Sequence, residues 1–263
     1  MTNSFDDAKM PMLDHLVELR KRLTWSASAF FALFMASFYF AGPVFDFLVQ
    51  PLYDMWQGDE SRRLIFTALH EKFLTEIKVA FFVSAFVSFP IISNQIWLFV
   101  APGLYKHEKR AFLPFLIATP VLFFMGGAFV YYVILPVAWD FFASYEQSGG
   151  DGRLAIQLEP KVDQYLSLVM RLIFAFGLSF ELPVILTLLA KVGIIDAAGL
   201  RKKRRYAIVA AFIAAAVLTP PDPISQLGLA IPIIILYEIS IWCATLVAKP
   251  GPEADEEEGV NEE

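Results

Sequence analysis

Residues 165–190 read YLSLVMRLIFAFGLSFELPVILTLLA, an apolar run in which Arg171 and Glu181 are the only charged side chains. A helix needs about 20 predominantly apolar residues to cross the roughly 30 Å hydrocarbon core of a bilayer. The run is long enough for that task, and it contains no cluster of turn residues that would divide it. It therefore predicts a transmembrane helix.

Apolar runs of this kind recur along the chain, at residues 23–40, 79–100, 111–137 and 224–247. The hydrophobic fraction is 57%, with a mean hydropathy of +0.56, whereas soluble domains contain about 45–50% apolar residues. The runs leave no stretch long enough for a separate soluble domain. The sequence predicts an all-α integral membrane protein.

A sixth apolar run, residues 206–218, is shorter and reaches only about 20 Å as a helix. It is followed at once by the sequence TPPDP at residues 219–223, which no helix crosses intact. Two interpretations are open: a re-entrant half-helix, or a short full span accommodated by local thinning of the bilayer.

The distribution of basic residues favours six spans, the last two short, with both ends of the chain in the cytoplasm. On that assignment the outer side holds only Arg62, Arg63, Lys72, Arg153 and Lys161. The cytoplasmic segments hold most of the others: Lys9, Arg20, Lys21, Arg22, Lys106, Lys109, Arg110, Lys191, residues 201–205 and Lys249.

We divide the chain into three parts. Residues 1–22 form a cytoplasmic N-terminus with an amphipathic helix at the membrane interface, because Leu13, Leu16 and Val17 share one helical face. Residues 23–247 form a single six-helix transmembrane domain. Residues 248–263 form an acidic, disordered cytoplasmic tail, which accounts for the net charge of −6.

No pattern of residues indicates an enzyme, a metal site or a cofactor site. The single cysteine, Cys243, allows no intrachain disulfide, and the three histidines do not have the spacing of metal ligands. The basic run at residues 201–205 flanks a span, so a role in topology and lipid contact is favoured over nucleic-acid binding.

Three acidic residues are candidates for function. Glu18 and Glu108 lie near the cytoplasmic face at the ends of adjacent spans, where two carboxylates could bind a guanidinium ligand. The alternative for Glu18 is a surface ion pair with Arg22, one helical turn away. Glu181 lies within a span, with Ser179 as a local partner, and an ionisable group there is a functional candidate by default. Glu238 is the only other acid deep in an apolar run.

Five stretches together resemble TatC, the multispanning core of the twin-arginine protein translocase, in the order in which that family carries them. They are HLVELRKR at residues 15–22, APGLYKHEKR at 101–110, FGLSFELP at 176–183, LRKKRRY at 200–206 and LTPPD at 218–222. Each stretch is weak evidence alone, but five in order make the resemblance specific.

The resemblance implies a receptor for signal peptides with two consecutive arginines and a scaffold for the export of folded proteins, driven by the proton-motive force. It implies a multi-pass location in the cell inner membrane, self-association, contact with membrane lipid, and partners of the single-span TatA and TatB types. The implied residues are, for signal-peptide binding, Glu18, Arg20, Phe99 and Glu108; within the membrane, Glu181; in the outer loops, Pro51, Phe73, Tyr131 and Asp222; and for partner-helix contact, Thr219 and Gln226.

Two other functions remain open on the residues alone. A proton-coupled transporter of small molecules would use Glu181 as its relay, and a purely structural assembly factor would not depend on signal peptides.

Overall fold

A computed structural model describes residues 12–56, 62–104, 113–150, 152–219 and 222–247, and it places most of them in helices. The helices are α1 (Met12–Tyr39), α2 (Ala41–Met55), α3 (Glu71–Leu104), α4 (Leu113–Phe129), α5 (Leu135–Ala143), α6 (Val162–Ser179), α7 (Leu182–Lys191), α8 (Ala197–Lys202), α9 (Arg204–Leu218) and α10 (Pro223–Val247). A π-helical segment, Val130–Ile134, joins α4 to α5.

The described helices confirm the prediction of an all-α membrane protein. Four stretches are long and apolar enough to cross a membrane by length and composition: Glu71–Phe99, Leu113–Ala143, Val162–Lys191 and Ser225–Val247. They coincide with four of the predicted spans. Helices α1 and α2 meet the same criterion as a pair bent by 78°.

One detail of the predicted spans differs from the structure, and the number of spans stays a prediction. Residues 12–22 are helical as expected, but no break separates them from the apolar residues that follow, because α1 runs unbroken from Met12 to Tyr39. Helix α9 has 15 residues, or about 22 Å, and falls short of the length of a full span. The six-span count therefore stays a prediction.

The chain divides into two compact units. The first consists of the described residues within 1–50, 64–120 and 160–167. Its main contact is the antiparallel packing of α1 on α3, in which the ring of Phe81 meets Phe30 edge-on at 5.1 Å between centroids. Thr75, Ser84 and Ser88 of α3 are fully buried, and each hydroxyl donates to a carbonyl of its own helix. Small polar side chains satisfied in this way let helices pack closely in a membrane.

The second unit consists of the described residues within 51–63, 121–159 and 168–263. Helix α10 packs on α7 and α9, and α4 lies against α6 at two glycines. A Cβ atom built on Gly126 would lie 2.6 Å from the carbonyl oxygen of Phe176, and one on Gly177 would lie 2.7 Å from the ring of Phe123. The two helices are therefore in contact through their backbones at this level.

The π-helical segment has a cause in the sequence. Pro136 follows it after one residue, Leu135, and a proline inside a helix removes one backbone donor and clashes with the carbonyl four residues earlier. The wider π turn absorbs the misfit without ending the helix.

An ion pair joins two loop segments of the second unit. Arg62 Nη1 and Nη2 donate to Glu146 Oε1 and Oε2 at 2.5 and 2.7 Å, and the backbone N–H of Leu158 donates to Glu146 Oε1 at 2.9 Å. Arg62 also lies over the ring of Trp56. The Arg62 guanidinium, with the Leu158 N–H, lowers the pKa of the Glu146 carboxyl below its ordinary value of 4.5.

We expect Gly126→Ala to destabilise the protein by about 1–3 kcal/mol, because the new methyl group can be accommodated only by separating two backbones. The measurement is thermal unfolding of the detergent-solubilised protein. Gly228→Ala is the matched control, since Gly228 also lies inside a helix but has nothing within 4 Å of its Cβ position. Equal losses in both variants would contradict the backbone contact.

We expect Glu146→Gln to cost about 1–2 kcal/mol at neutral pH, because it removes a charge-assisted pair with two bonds. Since folding lowers the pKa of Glu146, the stabilisation is complete above pH 4.5 and is lost as the pH falls through the folded value. The difference in melting temperature between wild type and variant should therefore shrink towards zero in acid. Glu159→Gln is the control, because Glu159 pairs with Arg63 only at 3.6 Å and in an exposed position. A difference that stays constant down to low pH would argue against the pair.

Candidate functional site

An open cleft lies where the start of α1 meets the second half of α3, and all its lining residues belong to the first unit. Its volume is about 800 Å³. It is lined by Val17, Glu18, Lys21, Arg22, Trp25, Gln95 and Leu98. The residues from α1 recur every three or four positions, so they lie on one face of that helix.

Glu18 and Arg22 form an ion pair in the cleft, as the alternative interpretation of the sequence predicts. Arg22 Nε and Nη2 both donate to Glu18 Oε1, at 3.0 and 2.5 Å, and Nη1 donates to Gln95 Oε1 at 3.3 Å. The two side chains are 29% and 22% exposed. A pair at this exposure is partly screened by water. The carboxylate therefore remains accessible from the cleft.

An aromatic stack lies close to this pair. The ring of His15 stacks on the ring of Phe99, with centroids 4.3 Å apart and an angle of 20° between planes. Phe99 is one of the residues predicted for signal-peptide binding. His15 is not among the residues predicted from the sequence. Its position three residues before Glu18, on the same face of α1, is the signal that could have identified it.

Of the four residues predicted for signal-peptide binding, only Glu18 is among the described residues that line the cleft. Arg20 is exposed and is not among the residues that line the cleft. Glu108 lies outside the described residues, as do the acidic tail and the rest of the basic segment 105–112. The proximity of two carboxylates therefore stays a prediction.

Glu181 lies at the junction between α6 and α7 and is 4% exposed. Its backbone carbonyl accepts the N–H of Ile185 at 2.9 Å, and Pro183 follows in the first turn of α7. Ser179, suggested by the sequence as its partner, instead donates its hydroxyl to the carbonyl of Ala175 at 2.8 Å.

Glu238 has a different environment from the one that the sequence suggested. Its Oε2 accepts a hydrogen bond from Arg204 Nη2 at 2.6 Å, and both side chains are nearly half exposed. Within the described ranges, Glu181 is the only buried residue of the types Asp, Glu, Lys and Arg. A proton relay that includes Glu238 is therefore not supported.

The polar residues near the α9–α10 turn bind to their own hairpin. Thr219 is 8% exposed, and its hydroxyl donates to the carbonyl of Ala215 at 2.8 Å. The side-chain amide of Gln226 donates across to the carbonyl of Phe212 at 3.5 Å. Asp222 Oδ1 accepts the N–H of Ser225 at 2.7 Å, which caps the start of α10.

The remaining predicted residues have varied surroundings. Pro51 is buried within α2, and Phe73 of α3 is 56% exposed. Tyr131 is 9% exposed in the π-helical segment. Among the described residues, no group of three or more His, Cys, Asp or Glu is placed to hold a metal ion.

Comparisons with known proteins agree on one family. The family model described as "Sec-independent protein translocase protein (TatC)" matches residues 14–232. The chain is 50% identical over 236 residues to the Sec-independent protein translocase protein TatC of Magnetococcus marinus, with 90% of this chain and 84% of that protein covered. It is 40% identical to the protein of the same name from Escherichia coli K12, with 94% and 92% covered. A crystal structure of the twin-arginine translocase receptor TatC superposes with a TM-score of 0.77 at 39% identity, covering 89% of this chain and 99% of that one.

We expect Asp222→Ala to destabilise the start of α10 by about 1 kcal/mol, because the N–H of Ser225 loses its acceptor. Asp222→Asn is the matched control, since asparagine is an equally good cap. Amide hydrogen exchange at residues 224–226 measures the effect directly. Equal protection in the two variants would show that Asp222 does not act as a cap.

Proposed function

The chain belongs to the TatC family of Sec-independent protein translocase proteins, and from this membership we propose that the cleft around Glu18 receives the arginine pair of twin-arginine signal peptides. The protein is a core component of the twin-arginine translocase and a multi-pass membrane protein. Its function is transport, and we propose that it performs no catalysis of its own.

The observation that carries the proposal is a guanidinium already bound to Glu18. The pair with Arg22 supports the proposal, because this carboxylate accepts guanidinium N–H groups within the cleft. A carboxylate at a partly desolvated edge binds arginine better than lysine, because guanidinium presents a planar fork of donors. Gln95 offers a further acceptor in the same cleft.

The full recognition site in this proposal has four members. Glu18 and Glu108 bind the two arginines, one each. Phe99, held by its stack on His15, forms an apolar wall against the peptide. Arg20, which is exposed on α1, contacts the peptide from outside the cleft.

The proposal extends to partners and to orientation in the membrane. We place the protein in the cell inner membrane with both termini cytoplasmic, in agreement with the bias of basic residues. It assembles with further copies of itself and with single-span subunits of the TatA and TatB types, and the proton-motive force drives export.

The membrane-embedded candidates serve this assembly. We propose that Glu181 is the polar point within the bilayer at which a partner helix is recognised, supported by its burial at a helix junction. Thr219 and Gln226 contact a partner helix in this proposal, on a surface whose shape their bonds within the α9–α10 hairpin support. Pro51, Phe73 and Tyr131 act from the outer side.

We expect Glu18→Gln to weaken binding of a twin-arginine signal peptide by at least about tenfold, because a charge-assisted hydrogen bond contributes roughly 1.5–3 kcal/mol. The same is expected of Glu108→Gln. Binding is measured with a fluorescent synthetic peptide and the full chain in lipid nanodiscs.

Glu238→Gln is the matched control, because it also breaks an Arg–Glu pair of similar length but lies outside the cleft. Undiminished binding in the Glu18 and Glu108 variants, with intact folding, would refute the assignment of the site.

A further inference from the structure

Arg22 occupies the carboxylate to which the incoming peptide must bind. Three of its donor nitrogens are engaged, two on Glu18 Oε1 and one on Gln95 Oε1. A peptide arginine that reaches Glu18 therefore finds a guanidinium of this chain already there. On the proposed function, binding is an exchange of one guanidinium for another.

The geometry of the pair suits such an exchange. Both bonds to Glu18 end on Oε1, so Oε2 receives no hydrogen bond from any described residue. The strongest arginine–carboxylate arrangement uses two parallel bonds, one on each oxygen. The internal pair is thus weaker than the pair that a freely positioned peptide arginine can form.

The charges in the cleft also favour the displacement of Arg22 from Glu18. Among the described side chains that line it, Lys21 and Arg22 are positive and Glu18 alone is negative. Two further guanidinium groups would enter a site that already has an excess of positive charge. Moving Arg22 off Glu18 relieves this repulsion and exposes both carboxylate oxygens.

We propose that Arg22 is a built-in competitor for the signal peptide, which holds Glu18 in the resting receptor and is displaced when the first arginine of the peptide binds. Competition lowers the affinity of every cationic segment by the same factor. Weak ligands, such as segments with isolated lysines, then fall below useful affinity, whereas a twin-arginine peptide still binds. Arg22 accordingly raises the intrinsic affinity that a peptide needs in order to bind, and it leaves the ratio of affinities between ligands unchanged.

The test measures peptide affinity for the full chain in nanodiscs, with a fluorescent synthetic twin-arginine peptide as the probe. Arg22→Gln should tighten binding roughly two- to fivefold, the range that corresponds to losing a partly exposed ion pair. Arg22→Lys should tighten it less, because an ammonium retains the charge but cannot bond to Glu18 and Gln95 with a fork. Lys21→Gln is the control for charge alone, since Lys21 lines the same cleft.

A double-mutant cycle separates competition from general repulsion. In a Glu18→Gln background, Arg22→Gln should bring no more gain than Lys21→Gln, because there is no carboxylate left to compete for. An equal gain in both backgrounds, or an Arg22→Lys variant that binds like wild type, would show general repulsion and overturn the proposal.

A third outcome assigns the opposite role to Arg22. If Arg22→Gln binds the peptide more weakly than wild type, Arg22 positions Glu18 and does not compete with the ligand. That result leaves the proposed function intact as long as wild type binds and Glu18→Gln binds at least about tenfold more weakly. Failure of the wild-type chain to bind the peptide would instead refute the proposed function, and the competitor role with it.

Discussion

Backbone hydrogen bonding is the constraint on which this structure depends. In hydrocarbon each unsatisfied N–H or C=O costs several kcal/mol, so a single segment can cross only as a helix. Within the described spans, two departures from regular helix show how the chain meets this constraint. At the α6–α7 junction, Glu181 and Phe180 keep backbone bonds to residues 178 and 176. At Pro136 the π-helical segment keeps the helix continuous.

The same constraint governs the polar side chains within the spans. Ser84, Ser88 and Ser240 are fully buried, and each donates its hydroxyl to a carbonyl of its own helix. Their polarity is therefore neutralised locally, and their small size remains available for close packing. Glu181 is a different case, because an ionisable group buried in a membrane span is a candidate for function.

Much of this arrangement was predictable from the sequence. The parts that were not predictable have physical reasons. Apolar runs identify spans because the bilayer sets their length, and the helical spacing of Glu18 and Arg22 predicted their pair. The bend between α1 and α2 has only a weak signal, Gly42-Pro43, and its angle depends on packing. The pair between Arg62 and Glu146 joins residues 84 positions apart, and no periodicity within one helix reports such a contact. Glu238 lies deep in an apolar run of the sequence, but Arg204 of the adjacent helix reaches it and its side chain is nearly half exposed.

Three arginine–glutamate pairs show how similar chemistry serves different ends. Arg62 uses two donors on the two oxygens of Glu146, and a backbone N–H also donates to Oε1, so both oxygens are already engaged. Arg204 and Glu238 form one hydrogen bond, and both side chains are nearly half exposed. At such an exposure screening weakens the attraction between a carboxylate and a charged ligand. The pair of Glu18 and Arg22 lies between these extremes. It is sheltered enough for charge to matter, and because its bonds converge on one oxygen it leaves the other for a stronger partner. On the proposed function, that combination, more than the presence of a carboxylate, is what suits the cleft to receive an arginine from another chain.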